Sequence, residues 1–273
     1  MEKLLSNINE NLAEKAFTRQ SKIFDTQNAE NTIVQYKRER VRAHVWKYLS
    51  PGIRILELNC GTGEDSIWLA KQGMQVHATD ISTGMLSILA KKIKSENLES
   101  NIHFEHCSFT SLETLSDTGP YDMIFSNFAG LNCTTELDLV LKSFNGLLKA
   151  NAIVTLVLLP SFCLWETLLL FKGKFRTGTR RIFHKKGVNA NVEGVSFKCR
   201  YYSPSFVIKA LKPYFKLLET EGLCTIVPPS YIENFVENYP RLFQFLKSKE
   251  ERWKSKWPWK FIGDYYIITL QKR

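Results

Sequence analysis

The chain has 273 residues, 44% of them apolar, enough to bury a full core as one large α/β domain with a long insertion. Its net charge of +10 is lopsided: residues 1–150 hold 16 Lys/Arg against 18 Asp/Glu and residues 151–273 hold 21 against 9, so the halves carry −2 and +12. Six cysteines at gaps of 25 or more residues exclude a zinc-ligand spacing or a disulfide framework, and the opening MEKLLSNINENLAEK, mixing acids with bases, excludes a secretory signal and points to a cytoplasmic chain.

From residue 2 to 49 apolar residues recur at mixed three- and four-residue spacing (Ile33, Val34, Tyr36, Val41, Val45, Trp46, Leu49), which predicts helix until Pro51-Gly52 breaks it. IRILEL (53–58) then reads as a strand running into a glycine loop, EDSIWLAKQG as a helix closed by Gly73, and QVHAT (75–79) as a second strand, a βαβ unit. A helix over Thr83–Lys94 follows, then strands near 102–105 and 121–126, a helix near 136–148 and a strand at 152–159. Five strands separated by helices imply a doubly wound, mostly parallel sheet. The apolar stretch 152–171 approaches the length of a spanning helix, but Pro160, Ser161 and Glu166 interrupt it, so it reads as a buried strand, a turn and an apolar helix. After a basic interval, Ser203-Pro204 starts a helix to Leu211, residues 215–221 form a strand, and DYYIITLQK (264–272) alternates as the last strand.

The chemistry sits in ILELNCGTGEDS, where a strand delivers the chain into a loop whose Gly61 and Gly63 let backbone approach a ligand just before a helix. Glu57 at the strand end suits a charged amine. Asp80, seventeen residues after Gly63 and ending the second strand, suits both hydroxyls of a ribose. A nicotinamide cofactor needs the same two features, although Ser66 stands where a third glycine would.

The segment ELNCGTGEDSIWLAKQGMQVHATDIS resembles the first two motifs of class I S-adenosylmethionine-dependent methyltransferases, small-molecule type, with a likeness extending over about residues 20–160 and the closing strand. The resemblance implies a doubly wound, mostly parallel seven-stranded sheet. It divides the chain into a helical cover (1–50), an S-adenosylmethionine-binding core (51–160), a basic substrate-covering insertion with the last core helix and strand (161–262), and a final strand (263–273). It implies that Glu57, Asn59, Gly61 and Gly63 line the methionine moiety, and that Asp80, Ile81 and Met85 hold ribose and adenine. Asn59 stands where the family usually has glycine, which implies a more crowded loop or one extra hydrogen bond. The third motif departs from the family: HFEHCSFTSLE has no acid to meet the adenine amino group and offers Ser108 and Phe109. In YDMIFSNFAGLNC the resemblance sets Asn127 and Phe128 beside the reactive methyl; SNF is unlike the NPPY-type tetrad of amino-directed enzymes. Phe24, in AFTRQSKIFD, replaces a tyrosine that folds over the sulfonium, where a ring still offers cation–π attraction.

Methyl transfer from a sulfonium asks the protein for alignment, desolvation and sometimes a base. No metal is required. His184 and Glu166 are the candidate bases, with His44 behind them and His184 taken as catalytic; a surface cation, a cap or ion-pair partner and a structural helix residue are the bland alternatives for His184, Glu166 and His44. The interval 171–186 holds Lys172, Lys174, Arg176, Arg180, Arg181, Lys185 and Lys186 without an acid and is the candidate anion-binding segment. The expected reaction is transfer to an oxygen or carbon of a small or carrier-linked, anionic acceptor. An RNA methyltransferase and an NAD(P)-dependent oxidoreductase are the alternatives, and nucleic acid or a membrane surface the less favoured partners.

Overall fold

The computed structural model describes residues 2–173, 175–183, 187–232 and 234–273. The chain opens with two helices, α1 (Glu2–Glu30) and α2 (Thr32–Trp46). The sequence pattern predicts one helical stretch; the break comes at Asn31, in extended conformation, whose side chain accepts from the backbone N–H groups of Ile33 and Val34 and caps α2. There follow β1 (Arg54–Leu58), α3 (Glu64–Lys71), β2 (Gln75–Asp80), α4 (Thr83–Ser95), β3 (Ile102–His106), β4 (Tyr121–Ser126), α5 (Leu137–Leu147) and β5 (Leu148–Leu158). The second half carries α6 (Leu164–Leu168), α7 (Phe175–Phe183), β6 (Val188–Val192), β7 (Val195–Cys199), α8 (Pro204–Leu211), β8 (Phe215–Leu223), α9 (Phe235–Asn238), α10 (Pro240–Trp253) and β9 (Tyr265–Lys272).

Seven strands form one sheet in the order β3-β2-β1-β4-β5-β9-β8, parallel except for β9, which runs antiparallel to both β5 and β8. Alternation along the strands feeds two cores, as a period of two requires. Leu56, Ile124, Val154 and Ile268 pack with Leu141 and Phe144 of α5 and Val207 of α8 on one face. Ile55, Met123, Phe125 and Ile267 pack with Val41, Val45, Leu69 and Leu89 of α2, α3 and α4 on the other. The order reverses between β1 and β4, and the crevice at their carboxyl ends is where such sheets hold ligands.

Two ion-pair clusters fix the second half. Glu250 of α10, fully buried, accepts from the backbone N–H groups of Cys224, Thr225, Ile226 and Val227 at 2.8–2.9 Å and from Tyr36 Oη and Arg40 of α2. Arg181 of α7 reaches Glu166 of α6 and Asp264 just before β9, each at 2.7 Å. The antiparallel hairpin β6–β7 and helices α7 and α10 go beyond the sequence reading; the hairpin lies in what reads as basic interval and supports α1, whose Ala13, Ala16 and Phe17 pack on Val195 and Phe197. All six cysteines are free thiols, and no helix among the described residues is long and apolar enough to cross a membrane.

Candidate functional site

A cavity of about 300 Å³, a size suited to a small-molecule ligand, opens at the carboxyl ends of β1, β2, β3 and β4 beneath α1 and α2. Its wall brings together Phe24, Asn59, Gly61, Asp80, Ile81, Met85, Ser108, Phe109, Asn127 and Phe128, all singled out from the sequence. His184 lies outside the described residues.

Asp80 ends β2 with its Oδ2 accepting from Gly61 N–H and its Oδ1 from Ser82 N–H, both at 2.8 Å. Burial raises its pKa while these backbone bonds oppose the shift. Each oxygen keeps a second lone-pair direction for a ligand hydroxyl. Gly61 lies at φ +58°, a left-handed conformation that a β-branched residue resists. Asn59 also has a positive φ, +48°, which asparagine tolerates. Its amide explains the departure from glycine: Nδ2 donates to the Asn127 carbonyl at 2.9 Å and Oδ1 accepts from Ser126 Oγ at 2.6 Å, stapling the β1 loop to the end of β4.

Two expected contacts with the methionine moiety are not part of the cavity wall. Glu57 alternates into the layer beneath the loop, where Ser66 Oγ donates to it; burial and the nearby Asp65 push its pKa up to about 8. Gly63 sits at the N-cap of α3, and a Cβ there would clash with Leu89 Cδ1, so this glycine serves the packing of α3 on α4.

The Asn127 side chain is already occupied: Nδ2 donates to Asp65 Oδ2 at 2.7 Å and Oδ1 accepts from Phe128 N–H at 2.7 Å. Asp65 is also held by Arg38 and Arg42, at 3.1 and 2.9 Å. Burial alone would raise the Asp65 pKa, but these two cations and the Asn127 amide bring it below the usual range. Phe128, at φ +50°, is the strained residue of the wall. Its ring faces Arg38 at 4.8 Å and meets Tyr265 edge-on at 6.4 Å.

Residues that no local motif announces complete the wall, among them Glu10, Lys37, Arg38, Ser230 and Tyr265. Lys37 is 3% exposed, donates to Ser230 Oγ at 3.0 Å and lies 4.6 Å from the Tyr265 ring centroid. Burial alone would lower its pKa; Tyr265, Asp264 and Cys224 outweigh that, and the group stays an ammonium. No carboxylate of the described residues pairs with it.

The other sequence candidates for a base serve the scaffold. Glu166 accepts from Arg180 and Arg181, whose charges hold its pKa below the usual range despite burial, and His44 is held by Thr269 Oγ1 at 2.8 Å and Glu221 at 3.0 Å. Of the basic interval, Arg180 and Arg181 therefore turn inward; Lys174, Lys185 and Lys186 lie outside the described residues.

Residues 55–151 match the family described as "Methyltransferase domain". The methyltransferase GfsG of Streptomyces halstedii is 29% identical over 91 residues, 32% of each chain. The match spans about a third of the length of such curated relatives. Among solved structures, the Burkholderia thailandensis 1,6-didemethyltoxoflavin-N1-methyltransferase with bound 1,6-didemethyltoxoflavin and S-adenosylhomocysteine is 13% identical with a TM-score of 0.58, covering 98% of this chain and 90% of that one. The geranyl diphosphate C-methyltransferase from Streptomyces coelicolor A3(2), in complex with Mg2+, geranyl diphosphate and S-adenosyl-L-homocysteine, is 10% identical with a TM-score of 0.55, covering 86% and 79%. At such identities the likeness is one of fold. Residues 55–151 are thus a methyltransferase domain, set in a chain with the fold of the class I S-adenosylmethionine-dependent methyltransferases.

Proposed function

We propose that this chain transfers the methyl group of S-adenosylmethionine to an oxygen or carbon of a small or carrier-linked acceptor that bears an anionic group. The observation that carries this reading is one cavity with a ribose-suited carboxylate, Asp80, and a buried ammonium, Lys37, without a carboxylate partner among the described residues. The residues present fit the cofactor. Asp80 offers two acceptor oxygens to a cis-diol, Ile81 and Met85 offer apolar faces to a base, and the Phe24 ring is available to a cation. Arg38, whose Nε is buried without a hydrogen-bond partner among the described residues, offers a donor to a carboxylate.

Bound S-adenosylmethionine supplies a methyl group on a sulfonium, a leaving group that needs no proton. The chain's own part is to align, dry and charge-match the acceptor. Lys37, fixed by Ser230, would favour the ionised form of an acidic acceptor group, whose proton goes to solvent before the transfer, so that the group meets the methyl as an anion. Phe128 and Tyr265 would wall that end against water. The geranyl diphosphate enzyme, whose bound geranyl diphosphate is anionic, is consistent with an acceptor of this charge on this fold.

Calorimetry with S-adenosylhomocysteine, together with transfer of labelled methyl to a panel of carboxylates, phenols and phosphate esters beside neutral counterparts, tests the reading. Wild type binds S-adenosylhomocysteine, Asp80→Ala and Gly61→Val weaken it at least ~100-fold, and Lys37→Met keeps that affinity while kcat/KM for anionic acceptors falls ~10–100-fold. NADH binding without S-adenosylhomocysteine binding, or unchanged affinity in both loop variants, overturns it.

A further inference from the structure

The cavity wall also includes Ile81, Met85, Ser108 and Glu10, at the end where β2 and β3 finish. The strand ends bring these residues together: Asp80 pairs with His106 across β2 and β3, Cys107 N–H donates to the Asp80 carbonyl at 3.2 Å, and Ser108 follows directly. Glu10 arrives from α1, far away in sequence, and is 9% exposed. Its Oε2 accepts from Ser108 Oγ at 2.8 Å and Thr110 Oγ1 at 3.0 Å. Its Oε1 is buried without a hydrogen-bond partner among the described residues. A buried carboxylate oxygen left unpaired is costly, and retained examples call for a missing donor.

The position of Glu10 is fixed by its neighbour. Asn9 donates to the Cys133 carbonyl at 2.6 Å and to the Lys198 carbonyl at 3.2 Å, and accepts from Lys198 N–H at 2.6 Å, which bolts this turn of α1 to β7 and to the segment after β4. Two bonds from Ser108 and Thr110 hold the carboxyl group itself. The group is therefore oriented in advance, with one oxygen satisfied by protein and one left over.

A nucleoside whose ribose lay on Asp80 would have Ile81, Met85, Ser108 and Glu10 available to its base. The apolar faces of Ile81 and Met85 suit any purine and distinguish none. An unpaired carboxylate oxygen distinguishes sharply, because it accepts from an exocyclic amino group and repels a carbonyl oxygen at the same position. We propose that Glu10 reads the 6-amino group of the cofactor's adenine, so that base recognition is delivered by the amino-terminal helix. This inference rests on the cofactor reading above. It accounts for the absence of an acid in the loop after β3: Ser108 occupies that loop and orients the Glu10 carboxylate instead of meeting the base with one of its own.

Calorimetry on the full chain with three ligands tests this: S-adenosylhomocysteine, its 6-oxo counterpart S-inosylhomocysteine, and the counterpart with hydrogen at purine position 6. Wild type should bind the first at least ~30-fold more tightly than either of the others. Glu10→Gln, whose amide can donate to a 6-oxo group, should weaken S-adenosylhomocysteine ~10-fold and reduce or reverse the preference over S-inosylhomocysteine. Glu10→Ala should abolish the preference. Wild-type preference retained in folded Glu10→Gln and Glu10→Ala overturns the proposal. So does equal wild-type affinity for the 6-amino and 6-hydrogen ligands, a comparison that needs no variant. If wild type binds none of the three, the cofactor reading falls and takes this one with it; tight but undiscriminating binding sinks the role of Glu10 alone.

Discussion

Glu57 and Asp65 are two buried carboxyl groups given opposite states by their neighbours. Asp65 stays ionised between Arg38 and Arg42, and Glu57, buried beside it, has its pKa pushed up to about 8. The linkage has a definite sign. In the unfolded chain Glu57 loses its proton at about 4.3, so between there and about 8 the folded state holds more protons and stability falls as pH rises. Glu57→Gln, which keeps an acceptor for Ser66, should match wild type in stability near pH 5 and exceed it by on the order of 3 kcal/mol at pH 9. Urea unfolding at the two pH values checks this; a variant advantage independent of pH would contradict it. At this scale Gly61, Asp80, Asn59 and Phe128 are legible because strand, loop and helix fix their spacing locally. Glu10, Lys37 and Tyr265 are not, since each reaches the cavity from an element whose place depends on tertiary packing. One faint signal existed: Glu10, Ala13, Phe17, Phe24 and Asn28 recur at three-, four- and seven-residue steps, the period of a single helix face.

Among the elements, α10 shows how a buried charge can organise a loop. Glu250 gathers four consecutive N–H groups just past β8, and Tyr36 and Arg40 join it from α2, so one carboxylate ties the end of the sheet to two helices. Glu250→Ala leaves those donors and the Arg40 charge uncompensated and should cost about 3–5 kcal/mol. A fall in the urea midpoint without a change in slope is the expected result; an unchanged midpoint would show that water replaces the carboxylate. The β1 to β5 alternation is legible because apolar runs and helix periods announce each element. The β6–β7 hairpin escapes notice because its strands are short and half-polar, although Glu193 and Gly194, both at positive φ, make the two-residue turn that joins such strands. The basic interval misleads for another reason: charge counted along the chain does not tell whether Arg180 and Arg181 face a ligand or, as here, Glu166 and Asp264.

For the molecule as a whole, the sheet supplies the floor of the cavity and the amino-terminal helices supply its roof. The floor comes from a segment shared with other methyltransferase domains, while the roof lies outside the matched residues 55–151. The roof therefore gives this chain room to differ in what it accepts. One helix carries five wall residues, and its 29 residues turn by about 100° each. Adding a single alanine between Phe17 and Phe24 would leave either the first part of that stripe or the second facing away, with the charge untouched. Such a chain should keep a native-like melting transition of the sheet yet lose S-adenosylhomocysteine binding; retained binding would show that the helix is a passive cover. Evolution of this protein by length change is thus closed along α1, whereas exchange of one side chain for another along its inner stripe is open.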